Sequence, residues 1–115
     1  MVYRKGDKEM QIDITNRQLI RNIRENSTYK QILMVTIEEL SELIQVLSKE
    51  LRIQYHDETL RINRADNDFK IIEELADVYL MLEQLQQICV ILDIELNQII
   101  NKKCLRTLEK VGVSN

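Results

Sequence analysis

The sequence has no proline, no tryptophan and only two glycines, Gly6 and Gly112, which lie near its ends. Folds made of short strands and tight turns are punctuated by glycine and proline, so a chain without either from residue 7 to 111 excludes most β-rich architectures. There is also no long basic run, and the net charge is −3. An electropositive surface for nucleic acid is therefore not expected. No apolar stretch is long enough to span a bilayer, and no signal peptide is visible, so neither membrane insertion nor secretion is expected. The two cysteines, Cys89 and Cys104, have no CxxC or histidine-paired spacing and sit in apolar surroundings. They read as buried free thiols of a reducing cytoplasm. One histidine, His56, is too few for the Glu-x-x-His pairs of a di-iron bundle.

What remains is a chain of 115 residues, 44% hydrophobic and 30% charged, which suits one globular domain. A domain of this size buries a modest share of its surface, so association with further copies, as a dimer or tetramer, would help it. The expected organisation is an N-terminal arm (1–13), a single all-α domain (14–112) of four-helix-bundle type, and a tail (113–115).

Apolar periodicity places four helices. The first covers 14–25, with Ile14, Leu19, Ile20 and Ile23 on one side. Asn26-Ser27-Thr28 then supplies N-cap oxygens for a second helix over 28–52. Leu33, Ile37, Leu40, Ile44, Leu47 and Leu51 are spaced as a bundle seam, predicted to face the core. Residues 53–67 lack a clean period and read as a connection, with a helical turn at Thr59–Ile62. Asp66, Asn67 and Asp68 offer caps for a third helix over 68–91, whose seam is Ile71, Leu75, Val78, Leu82, Leu85 and Cys89. Asp93 caps a fourth helix over 94–110, with Leu96, Ile99, Ile100, Cys104, Leu105 and Leu108 as its buried side. Gly112 terminates it.

Beside each central seam runs a second row. On the second helix it is Val35, Glu39, Glu42, Val46; on the third it is Lys70, Glu74, Asp77, Met81, Gln84, Ile88. Residues three apart on a helix are neighbours, about 5–6 Å apart at Cβ. Glu39 with Glu42, and Glu74 with Asp77, therefore form two carboxylate pairs inside rows that turn apolar. A solvated face with ordinary ion pairs is the plain reading of either pair alone. Four acids on two packed helices repel unless a cation lies between them, and oxygen ligands suit Mg²⁺, with Mn²⁺ as a substitute.

Glu38-Glu-Leu-Ser-Glu42 followed by Glu74-Leu-Ala-Asp77, in order and in these apolar frames, resembles the MazG-like all-α nucleoside triphosphate pyrophosphohydrolases over about Gln31 to Arg106. The resemblance implies that Glu39, Glu42, Glu74 and Asp77 hold Mg²⁺ and that Glu38 supports the site or orients water. It also implies that Lys103 and Arg106, a Lys-x-x-Arg element on the last helix, meet the phosphates of a nucleotide substrate. The implied reaction is attack by water at the α-phosphorus of a nucleoside triphosphate, giving the monophosphate and pyrophosphate. The alternative is a non-catalytic helical oligomerisation or interaction module, whose acids merely keep a bundle soluble.

Overall fold

A computed structural model of the chain describes residues 13–55 and 64–112. Over these residues the protein is all-α, with four helices in order: α1 (Ile14–Glu25), α2 (Tyr29–Gln54), α3 (Arg64–Ile88) and α4 (Asp93–Lys110). Residues 1–12 of the expected N-terminal arm, the turn expected at Thr59–Ile62, and the tail lie outside the described residues. No described helix is long and apolar enough to cross a membrane.

Local chemistry explains most of the boundaries. Asp13 caps α1 by accepting from the Thr15 N–H at 2.7 Å. Thr28 and Gln31 form a reciprocal capping box at the start of α2. The Gln31 N–H donates to Thr28 Oγ1 at 3.1 Å, and the Thr28 N–H donates to Gln31 Oε1 at 2.8 Å. No glycine or proline interrupts α2 over its 26 residues. The third helix begins at Arg64, four residues earlier than the sequence suggested, so Asp66, Asn67 and Asp68 are not its caps. Asp66 falls in its first turn, where a negative charge favours the helix dipole.

The turn after α3 is a Schellman motif. The Ile91 N–H reaches back to the Gln86 carbonyl at 3.0 Å, and the Val90 N–H to that of Gln87 at 3.2 Å. The pivot is Val90, at φ 53°, where a β-branched side chain is strained and glycine is the usual occupant. Asp93 does not cap α4. The N-cap is Leu92, without a side-chain bond, while Asp93 accepts from the Gln86 amide across the turn. Gly112, at φ 77°, ends α4 as predicted.

The α2–α3 pair is the heart of the fold, and α1 packs on α3. Partners across α2 and α3 run in opposite order, since Asn67 bonds Glu50 while Asp77 meets Glu39, so the two helices are antiparallel. The buried apolar side chains are Ile20, Ile32, Val46, Val78 and Met81. Thr36 is buried with them and satisfies its hydroxyl by donating to the Ile32 carbonyl at 2.6 Å. Arg17 ties α1 to α3 through Glu83 at 3.2 Å, and Arg24 Nε donates to Gln87 Oε1 at 3.0 Å.

The predicted seams are turned the other way. On α2, Leu33, Ile37, Leu40, Ile44, Leu47 and Leu51 are all exposed, Ile37 at 66% and Ile44 at 64%. On α3, Val78 is buried, but Leu75, Leu82 and Cys89 are exposed. The side of α4 predicted as buried is open throughout, because α4 buries none of its residues. Cys89 and Cys104 are accordingly exposed free thiols, not buried ones. The physical reason is that α2 and α3 meet through their second rows, the ones that carry the acids. The apolar seams are left on the outside of the pair.

Candidate metal centre

The second row of α2 faces the second row of α3. On α2, Val46 is buried and Glu39 and Glu42 are half-buried; on α3, Glu74, Met81 and Gln84 are buried and Asp77 is exposed. Antiparallel packing brings the acids into register in crossed pairs: Glu39 is within hydrogen-bonding reach of Asp77, and Glu42 of Glu74. One carboxylate oxygen from each of Glu39, Glu42, Glu74 and Asp77 lies within 4.8 Å of every other. The four acids singled out by spacing are thus one cluster.

Its electrostatics are those of a crowded anionic site. Burial pushes the Glu39 carboxyl up from 4.5 to about 7, and the charges of Asp77, Glu42 and Glu74 push in the same direction. Glu74 is likewise raised, first by burial and then by Glu42 and Asp77, with Lys70 pulling the other way. Two oxygens, Glu39 Oε2 and Glu74 Oε2, are buried without any hydrogen-bond partner. Buried polar atoms are nearly always paired, because an orphaned one forfeits its hydration without return.

A divalent cation fits this donor set. All four groups are carboxylates, the hard oxygen ligands that Mg²⁺ and Mn²⁺ accept. Oxygens on opposite sides of one Mg²⁺ stand about 4.2 Å apart. The four oxygens, all within 4.8 Å of one another, are close enough to share one such ion. The orphaned oxygens of Glu39 and Glu74 are the atoms such an ion would satisfy.

The other predicted site residues lie elsewhere. Glu38 is exposed on α2 beside Glu39 and outside the four-acid cluster. Lys103 and Arg106 are exposed on α4. The substantial packing in the structure is that of α2 and α1 on α3, so α4 does not carry these basic residues onto α2.

Sequence reasoning missed a second acid on the same interface. Glu50 lies eight residues beyond Glu42 on α2, about 12 Å along the axis. Its carboxylate accepts from buried Asn67 at 3.0 Å and from the Gln54 amide at 2.9 Å, and pairs with Arg64 at 2.8 Å. These partners hold its carboxyl below the ordinary value, the Gln54 hydrogen bond being the largest cause. The available signal was register. Glu50 follows Glu39 by eleven residues and Asn67 precedes Glu74 by seven, so both continue the acidic rows by whole turns of helix.

No family model, no curated protein and no solved structure matches this chain.

Proposed function

We propose that this protein is a Mg²⁺-dependent nucleoside triphosphate pyrophosphohydrolase that works as a cytoplasmic homo-oligomer. The observation that carries this reading is the convergence of Glu39, Glu42, Glu74 and Asp77 with two buried carboxylate oxygens left unpartnered. Such a cluster is costly to the folded chain, and a cation held by these carboxylates would offset that cost.

In this reading Glu39, Glu42, Glu74 and Asp77 would hold the cation, which would supply Lewis-acid polarisation of a phosphoryl oxygen and a more acidic bound water. Glu38, exposed beside Glu39, orients the attacking water and accepts its proton. Lys103 and Arg106 neutralise charge on the departing pyrophosphate. Water adds at the α-phosphorus, the bond to the bridging oxygen breaks, and the products are a nucleoside monophosphate and pyrophosphate. Self-association is supported by the outward-facing seams of α2 and α3 and by the open apolar side of α4.

The test is pyrophosphate release from a panel of ribo- and deoxynucleoside triphosphates, with Mg²⁺ and with chelator. Metal-dependent release from at least one of them is expected. No release from any, together with a melting temperature that Mg²⁺ does not raise, returns the chain to the class of helical interaction modules.

A further inference from the structure

We infer that Lys49 and Lys70 form a phosphate subsite beside the carboxylate centre of their own chain, and that it takes the pyrophosphate half of a nucleoside triphosphate. This rests on reading the four acids as the cation site for such a substrate.

Register places the two lysines. At the edge of the α2–α3 interface Glu42 is half-buried and Asp77 is exposed, while Val46 and Val78 beside them are buried. A step of seven residues returns to within about 20° of the same helix face. Lys49 lies seven residues after Glu42, and Lys70 lies seven before Asp77. Both lysines are exposed, so they continue the edge on which the acids stand. Because α2 and α3 are antiparallel, these opposite steps in sequence lead the same way along the interface.

The two ammonium groups converge. The hydrogen bond between Asn67 and Glu50 fixes which residues stand opposite one another, and it sets Lys70 within about 5 Å of the level of Lys49 along the axis. Helical side chains lean towards the N-terminus of their own helix. Lys49 therefore leans towards the carboxylates and Lys70 towards Lys49, and their long stems bring both charges to a level one to two turns from the acids. Lys70 is near enough to the centre to act on Glu74. Yet neither lysine forms an ion pair among the described residues. Arg64, by contrast, is engaged by Glu50 at 2.8 Å.

The same step taken the other way reaches Val35 and Gln84, which carry no charge. The edge thus runs from an uncharged end, through four acids, to two free ammonium groups. A triphosphate whose α-phosphorus lies at the acids has two further phosphates, which extend about as far as one turn of helix. Positive charge for them stands at the lysine end, where an ammonium is a point-charge partner for phosphate oxygens. In the protomer α4 does not carry Lys103 and Arg106 onto α2. Lys49 and Lys70 are the cations that α2 and α3 supply themselves.

Calorimetric titration with inorganic pyrophosphate in millimolar Mg²⁺ tests the subsite without turnover. Lys49→Ala and Lys70→Ala should each weaken binding on the order of tenfold. Lys49→Arg and Lys70→Arg should keep most of the affinity. The rise in melting temperature caused by Mg²⁺ alone should persist in the double alanine variant, since the lysines meet the anion and not the cation. Wild-type affinity in that variant overturns the inference. A lost Mg²⁺-induced rise also overturns it, because the lysines then support the acids; so does a wild type that takes up no pyrophosphate.

Kinetics on whichever triphosphate is cleaved give the direction. The double alanine variant should raise KM on the order of tenfold or more. Inhibition by the product monophosphate should stay as in wild type, because that product lacks the two phosphates that reach the lysines. Equal weakening of triphosphate and monophosphate overturns the placement. Cleavage with an unchanged KM overturns the subsite and leaves the hydrolase standing. Lysine-dependent pyrophosphate binding in a protein that cleaves no nucleotide supports the subsite while overturning the hydrolase.

Discussion

The interface between α2 and α3 holds two carboxylate sites about 12 Å apart along the helix axis, and they have opposite characters. At one end Glu50 is fully served: an amide from Gln54, an amide from Asn67 and the guanidinium of Arg64 hold its proton affinity down. In the middle Glu39, Glu42, Glu74 and Asp77 have mainly one another, and the proton affinities of Glu39 and Glu74 rise. Residue type and burial do not separate the two sites; the supply of donors does. An acid that has its donors stabilises the fold. A group of acids without donors makes the fold depend on a ligand.

The sharpest way to break this contrast is to remove one acid from the unserved group. Glu42→Gln keeps the shape while deleting a charge and an anionic ligand. The metal-free protein should melt no lower than wild type. The variant should lose most of the Mg²⁺-induced rise in melting temperature and nearly all metal-dependent hydrolysis. Melting curves with chelator and with millimolar Mg²⁺, beside a pyrophosphate assay, read all three. A Glu42→Gln protein that melts early without metal, and a wild type indifferent to Mg²⁺, make the group a structural one.

The served site should respond in the opposite sense. Asn67 is 3% exposed and donates to Glu50. Asn67→Ala takes one donor from the half-buried Glu50 carboxylate, which keeps Gln54 and Arg64, and should lower the unfolding free energy. Urea titration measures the loss, and the shift in melting temperature caused by Mg²⁺ should survive it.

A smaller effect separates the two sites by pH. The Glu39 carboxyl rises from 4.5 in the unfolded chain to about 7 in the folded one. Between those values the folded chain holds more protons, so this group favours folding most below pH 4.5 and loses its contribution as the pH climbs through 7. Glu50 is lowered instead. Its contribution is present above 4.5 and disappears as the pH falls through its depressed value. In chelator, Glu39→Gln should flatten the decline in stability between pH 5 and 8, and Glu50→Gln should flatten the decline on the acid side. The same slope in both variants and in wild type removes the distinction.

Much of this was readable beforehand, for identifiable reasons. Helix positions follow from spacing and capping, and α1 falls where its period placed it because Asp13 caps it. The four acids were legible because spacing within each helix fixes their pairing, whatever packs against it. Which row faces inward was not legible. On α2 the regular leucine and isoleucine seam matches the inside of a bundle, yet the row with Val46, Glu39 and Glu42 lies inside. Periodicity reports that a face is apolar, not which surface covers it, and a surface on a second copy leaves the same mark. Glu50 went unnoticed because its donors are spread over Gln54, Arg64 and Asn67, on both sides of the connection.

That spread of donors also bears on how the chain tolerates change in length. Gln54, Glu50, Arg64 and Asn67 fasten α2 to α3 at the place where the connection leaves one helix and enters the other. The register of the two helices is therefore set before residues 56–63 come into play. Lengthening a connection between fixed ends is cheap, about 0.6 kcal/mol for each doubling. Six Gly and Ser residues inserted after Thr59 should lower the urea midpoint only slightly, whereas the same insertion in an Asn67→Ala background should cost more than the two changes separately. A change of length between the two fastened ends should therefore leave the carboxylates on α2 and α3 undisturbed.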